Sequence, residues 1–169
     1  MCRKKWCFLI VLCLAGAGFS ALAADPSVDS LRAAIRDART DSGKVDLLVQ
    51  LAGKLYGTDP AQAIEYATQA RDLATGIHYN PGLALSLKYI SLAYNSQSDY
   101  LQAITYARQS MDVFQSMGDE VGVANMLNNI GAVYFNQGED AEALDYYLKS
   151  LSTAEPTGNK LRIATALLN

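Results

Sequence analysis

The feature that most restricts this chain is that it repeats itself. Tyr94 and Tyr134 stand forty residues apart, as do Ala103 and Ala143, Ile104 and Leu144, and Tyr106 and Tyr146. Ala84, Ala124 and Ala164 continue the same spacing, and so do Leu87, Leu127 and Leu167. An earlier copy emerges once a two-residue deletion is allowed in its middle. Ala63 and Tyr66 keep the forty-residue step to Ala103 and Tyr106, while Gly53 and Tyr56 pair with Ser91 and Tyr94. A period of this length belongs to an array of stacked units, because each unit leaves an apolar face that its neighbour must cover. The units run over 45–82, 83–122 and 123–162, and 163–169 reads as the start of a truncated fourth.

Each unit reads as two helices. In the third, Leu127, Ile130 and Tyr134 recur at three and four residues, which puts them on one helical face. The segment "NQGED" interrupts that face: Gly138 suits a left-handed helix end and Asp140 an N-terminal cap. Ala143, Leu144, Tyr147 and Leu151 then form the buried stripe of a second helix, which Pro156 and Gly158 break. Nothing alternates with period two for long enough to make a strand, so the expected class is all-α. Where the two helices cross, Gly53, Ser91 and Gly131 leave room for Ala63, Ala103 and Ala143, and Tyr56, Tyr94 and Tyr134 fill the space beside the crossing. Residues 24–44 hold a lead-in helix, expected from Val28 to Thr40 on the stripe Leu31, Ala34, Ile35 and Ala38, with Asp41-Ser42-Gly43 ending it.

A small residue and then Tyr on the first helix, with Ala on the second, resembles the tetratricopeptide repeat family. "NIGAVYFNQGEDAEALDYYLKSL" and "YISLAYNSQSDYLQAITYARQSM" carry the resemblance, and "QLAGKLYGTDPAQAIEYATQARDLA" shares it despite its shorter turn. The likeness runs from about residue 45 to 169 and implies a right-handed α-α superhelix of helix-turn-helix repeats. The forty-residue spacing exceeds the family's commoner thirty-four. It resembles the long repeats of the N-terminal sensory regions of bacterial histidine kinases, cyclases and helix-turn-helix regulators. Pro156, where the second helix usually continues, and the missing terminal Pro depart from the family pattern.

The resemblance also implies a concave groove lined by the first helices. On that face fall Tyr89 and then Asn125, Asn128, Asn129, Ala132 and Asn136, with Asn169 equivalent to Asn129. An Asn amide both donates and accepts, so such a row can hold an extended peptide without reading its sequence. The family's clamp for carboxylate tails is not reproduced, because Lys54, Leu92 and Ala132 stand where Asn would be wanted.

The first residues differ from the rest. "MCRKKW", an apolar run and Ala21-Leu22-Ala23 describe a signal peptide over 1–23, cleaved before Ala24; an uncleaved anchor is the alternative. Ile10, Val11 and Leu12 are too bulky to precede a lipidated Cys13. Cys2, Cys7, Cys13 and Trp6 all lie in this leader, so the mature chain is expected to have no thiol and no disulfide. Loss of Arg3, Lys4 and Lys5 takes the formal net charge from −3 to −6, a balance that argues against nucleic acid as a partner. His78 is the single histidine and has no Cys or second His to work with. No catalytic, cofactor or metal site is therefore expected.

These readings converge on an exported module that binds a protein or extended peptide, on the periplasmic side of a bacterial inner membrane. It would form the sensory part of a longer signalling protein, in which binding shifts the superhelix pitch; a freestanding periplasmic scaffold for envelope proteins is the alternative. Membrane contact would come only through the leader or a downstream span.

Overall fold

The computed structural model describes residues 27–154. The expected leader over 1–23, Pro156, Gly158 and the fourth-unit residues 163–169, Asn169 included, lie outside the described residues. Seven helices follow one another: α1 (Val28–Asp37), α2 (Asp41–Leu55), α3 (Pro60–Gly76), α4 (Asn80–Ser96), α5 (Tyr100–Ser116), α6 (Glu120–Gln137) and α7 (Asp140–Ala154). Among the described residues all regular structure is helical, as the missing period-two patterns implied. The pairs α2/α3, α4/α5 and α6/α7 are antiparallel hairpins stacked in chain order, and α1 packs on α2.

Side-chain caps explain most of the helix starts. Asp59, Asp99 and Asp119 accept the N–H of Gln62, Gln102 and Gly122 at 3.1, 3.2 and 2.9 Å. Each such cap contributes about 1 kcal/mol. Thr40 does the same for α2, accepting from the Gly43 N–H at 3.2 Å. This corrects the expectation for Asp41-Ser42-Gly43, which open α2 instead of closing the lead-in helix. Ala38 is already extended, so α1 stops at Asp37, short of Thr40. The Asp41 carboxylate then lies in the first turn of α2, where the helix dipole favours it. A similar correction applies to Asp140. The Glu139 carbonyl receives the Ala143 N–H, so Glu139 occupies the place that Asp99 takes one unit earlier, and Asp140 sits inside the first turn of α7.

The turns repeat with half the period of the units. His78, Ser98, Gly118 and Gly138 have φ of 56°, 62°, 69° and 80°, one left-handed residue after each of α3 to α6. Gly138 thus plays the part expected of it. The first hairpin, two residues shorter, closes differently: the N–H groups of Thr58 and Asp59 both reach the Leu55 carbonyl, at 3.0 and 2.7 Å.

Burial follows an alanine stripe on the second helices. Ala63, Ala67, Ala70 and Ala74 of α3 are fully buried, and Ala103 and Ala107 of α5 match the first two of them. These small residues let the helices approach, and larger ones from the first helices fill the layer: Leu48, Leu51, Ile90, Met126 and Ile130. Between units, Phe114 packs with Val123 and Met126. Gly82 and Gly122, forty apart, stand where a Cβ would meet Val45 Cγ1 at 2.4 Å and the Phe114 ring at 2.2 Å. The first helices of successive units touch, α2 with α4 and α4 with α6, more closely than the second helices do. The first helices therefore form the inner layer of the stack.

Candidate groove on the inner helices

The inner layer is organised around one small position per unit, and the three units fill the space above it differently. Above Gly53 lies the Tyr89 ring of the next unit, 2.8 Å from where a Cβ would be. At Ser91 the hydroxyl itself fills the gap and donates to the Ala103 carbonyl at 2.7 Å, a buried bond between the helices of one hairpin. Above Gly131 lies Tyr147 of the same hairpin at 2.7 Å, with the Ala143 carbonyl at 3.2 Å. The expected room for Ala103 and Ala143 is there; at Gly53 the nearest neighbour is Tyr89, not Ala63.

The repeat tyrosines pair off. Tyr94 stacks on Tyr106 with centroids 5.6 Å apart and planes 8° from parallel, and Tyr134 stacks on Tyr146 at 5.3 Å and 15°. Tyr56 instead meets Tyr89 at 6.1 Å, tilted by 36°, and remains the most exposed of the three first-helix tyrosines. Tyr89 was expected as a groove residue. The structure makes it chiefly a packing residue, half-buried between the first two units with Lys88 Nζ 5.3 Å from its ring centre. Burial, and after it the Tyr56 ring, pushes its phenol pKa up, as burial does for Tyr147. Both stay protonated, neutral groups at neutral pH.

The asparagine row divides too. Asn125, Asn128 and Asn129 are half-buried and Asn136 is exposed. Asn136 is tied into the neighbouring unit: its Nδ2 donates to Asn95 Oδ1 at 3.1 Å, and its carbonyl accepts from the Tyr100 hydroxyl at 3.2 Å. Asn129 differs, because its Nδ2 is buried and has no hydrogen-bond partner. A buried donor without an acceptor costs about 1–3 kcal/mol, an arrangement that an incoming carbonyl would relieve. Sequence reasoning missed Asn95 and Tyr100, which lie outside the forty-residue identities that drew attention to their neighbours. It also missed Ser110 and Ser150, whose hydroxyls donate to the carbonyls of Ala84 and Ala124 at 2.8 and 2.7 Å. Their forty-residue spacing was a legible signal.

Past the Asn row, Phe135, Asp140, Ala143, Leu144 and Tyr147 line a shallow depression at the third hairpin. Phe135 and Leu144 are 60% and 58% exposed there. His78 lies in the exposed turn before α4. Among the described residues, no three His, Cys, Asp or Glu side chains cluster as a metal would require. Among the same residues, no helix is long and apolar enough to cross a membrane.

Residues 123–155 match the model of a family described as "Tetratricopeptide repeat". No curated protein matches the chain. Among solved structures, it is similar to a Rap protein complexed with Competence and Sporulation Factor, with a TM-score of 0.74 and 16% identity over 82% of this chain and 40% of that one. It is also similar to aspartyl phosphate phosphatase F from Bacillus subtilis, with a TM-score of 0.71 and 19% identity over 82% of this chain and 38% of the other. A third is BtubC (BKLC) from P. vanneervenii, with a TM-score of 0.63 and 19% identity over 83% and 58%. The chain thus spans about two fifths of the length of the first two. Identities this low establish a shared fold alone, and the match to the tetratricopeptide repeat model is confined to residues 123–155. Residues 123–155 match a tetratricopeptide repeat, and the chain as a whole shares a tetratricopeptide-repeat-like fold of stacked helical hairpins with these structures.

Proposed function

We propose that this chain is a binding module that holds an extended segment of a partner protein along its inner helices. The observation that carries this reading is Asn129: a buried amide donor without an acceptor, flanked one turn away by Asn125 and followed by Asn136. An array that only needed to pack has no use for an unpaired donor at that depth. An extended peptide offers one carbonyl per residue, and each bond regained contributes about 0.5–1.5 kcal/mol. A Rap protein of similar fold is known in complex with Competence and Sporulation Factor, which supports an array of this architecture as a binding scaffold. Peptides selected for affinity to the chain test the reading. Their affinity is expected to fall about tenfold in the variant Asn128→Ala/Asn129→Ala. Selected peptides that bind this variant as well as the parent would sink the proposal.

The setting we propose is outside the cytoplasm, as the sensory part of a longer signalling protein whose output follows a change in superhelix pitch. The basic, then apolar, then small-residue order of 1–23 supports export. Fusion of that leader to a reporter active only after export checks the location; a silent fusion sinks it. The reading frame beyond the Asn169 codon checks the role. An apolar span followed by an output domain is expected, whereas a polar capping helix and a stop would favour a freestanding scaffold. Small-angle scattering of free and peptide-saturated chain checks the pitch change, and superimposable curves would remove that mechanism.

A further inference from the structure

The two junctions between units are held together differently. Apolar clusters cross the first along α4 from Leu83 to Tyr94. Leu83, Leu85 and Tyr89 pack in the cluster of Val45, Leu48 and Val49. Ile90 and Tyr94 join Ala52 and Ala67, and Ala93 joins Leu51, Leu55 and Ala63. The Tyr79 hydroxyl adds a bond to Asp46 at 3.1 Å. At the second junction an apolar cluster covers the first half of α6, where Val123, Met126 and Leu127 pack with Ala84, Met111 and Phe114. At the far end of α6 the ties are polar and exposed. Asn136 Nδ2 donates to Asn95 Oδ1 at 3.1 Å, and the Tyr100 hydroxyl donates to the Asn136 carbonyl at 3.2 Å. Between the second helices, Arg108 Nη2 donates to the Tyr146 hydroxyl at 3.3 Å, also in the open. The backbones agree with this contrast: α4 lies along α2 more closely than α6 lies along α4, and α3 meets α4 more extensively than α5 meets α6.

Parting helices that share apolar surface exposes that surface to water, whereas an exposed hydrogen bond is exchanged for one to water at small net cost. Motion between units therefore concentrates where apolar cover gives way to exposed bonds. We infer that the second junction is the hinge of the array. It pivots on the Phe114 cluster, and Asn95, Tyr100 and Asn136 form a latch at the end that opens. The first two units, with α1 packed on them, move as one block, and the third hairpin moves against it. The hinge does not depend on what the groove holds. On the peptide-binding reading above it locates the pitch change: a segment that bonds Asn136 in place of Asn95 releases the latch and biases the junction open.

Pulsed electron paramagnetic resonance on the full chain, with Cys2, Cys7 and Cys13 replaced by Ser, tests this. Spin labels at Ala61→Cys and Leu101→Cys span the first junction, and labels at Leu101→Cys and Ala141→Cys span the second at its opening end. All three positions are exposed and stand forty residues apart. The second pair is expected to give a distance distribution about twice as wide as the first, with a tail at long distance. Asn95→Ala/Tyr100→Phe removes both latch bonds and should enlarge that tail about fivefold, while the first pair stays as it was. Equal widths for the two pairs, or a tail that this variant leaves unchanged, overturns the inference. Broadening of both pairs in the variant overturns it too, because the whole array would then be flexing. No peptide enters the measurement, so a negative result leaves the groove reading standing.

Discussion

Tyr89 and Asn129 occupy matching places forty residues apart, yet they do opposite things. Tyr89 lies across the junction of the first two units, seated on Gly53 and tilted against Tyr56. Asn129, at the next junction, leaves an amide buried and unpaired. One junction is closed by an aromatic ring; the other keeps a polar group in reserve. A repeat array can therefore hold its architecture fixed while the same position packs in one unit and, in the function proposed above, serves recognition in the next. Alanine substitution sharpens the comparison. Tyr89→Ala removes a half-buried ring from two apolar clusters and is expected to cost about 2–3 kcal/mol, with urea unfolding as the measure. Asn129→Ala removes an unsatisfied donor and should change stability by less than about 1 kcal/mol, in either direction. Equal losses would mean that both residues are packing residues and that the asparagine has no spare capacity.

The small positions extend the contrast. The ring above Gly131 belongs to the same hairpin and is only 7% exposed at Tyr147, whereas the ring above Gly53 presents its outer end, Cζ and the hydroxyl. A ring approached at its tip can swing aside; one approached along its edge, beside the Ala143 carbonyl, cannot. Gly131→Ala is expected to cost about 1–3 kcal/mol by overpacking, and Gly53→Ala distinctly less. Similar midpoint shifts in denaturant would show that Tyr89 is held as firmly as Tyr147. The middle unit uses neither ring. There Ser91→Ala should cost about 1 kcal/mol, the worth of its buried bond to the Ala103 carbonyl, and hydrogen exchange should show the α4/α5 hairpin opening more often. Unchanged exchange across that hairpin would count against it.

Much of this is legible in the amino-acid sequence. The forty-residue period located three hairpins, the small residues at 53, 91 and 131, and the left-handed turn at Gly138, because each reports a backbone requirement that few residues can meet. The fillers were not legible. Whether Tyr89 points into the groove or onto Gly53 depends on the neighbouring unit, and no pattern within one unit encodes that. Asp41-Ser42-Gly43 misled for a related reason: small polar residues mark a helix boundary without saying on which side of it the helix lies, and the Thr40 hydroxyl decided the matter. The paired asparagines failed to announce themselves because Asn95 and Asn136 meet across units whose equivalent positions hold other residues.

The turns give the smallest expected effect and the cleanest test of what the period means. Four turns place a left-handed residue at twenty-residue intervals, yet only Gly118 and Gly138 are glycines; His78 and Ser98 adopt the same backbone with a Cβ attached. A non-glycine residue there carries about 1 kcal/mol of strain, and part of the relief offered by glycine is offset by the greater entropy that it gives the unfolded chain. Ser98→Gly should therefore stabilise the protein by about 0.5 kcal/mol, and His78→Gly by a similar amount. Gly138→Ala, the reverse change at an equivalent turn, should destabilise it by about 1 kcal/mol. Thermal melts of the three variants against the parent give the answer. If Ser98→Gly lowers the melting temperature, the serine hydroxyl or its position between α4 and α5 contributes more than the backbone strain. The twenty-residue turn would then be specified by side chains, not by the conformational freedom of glycine.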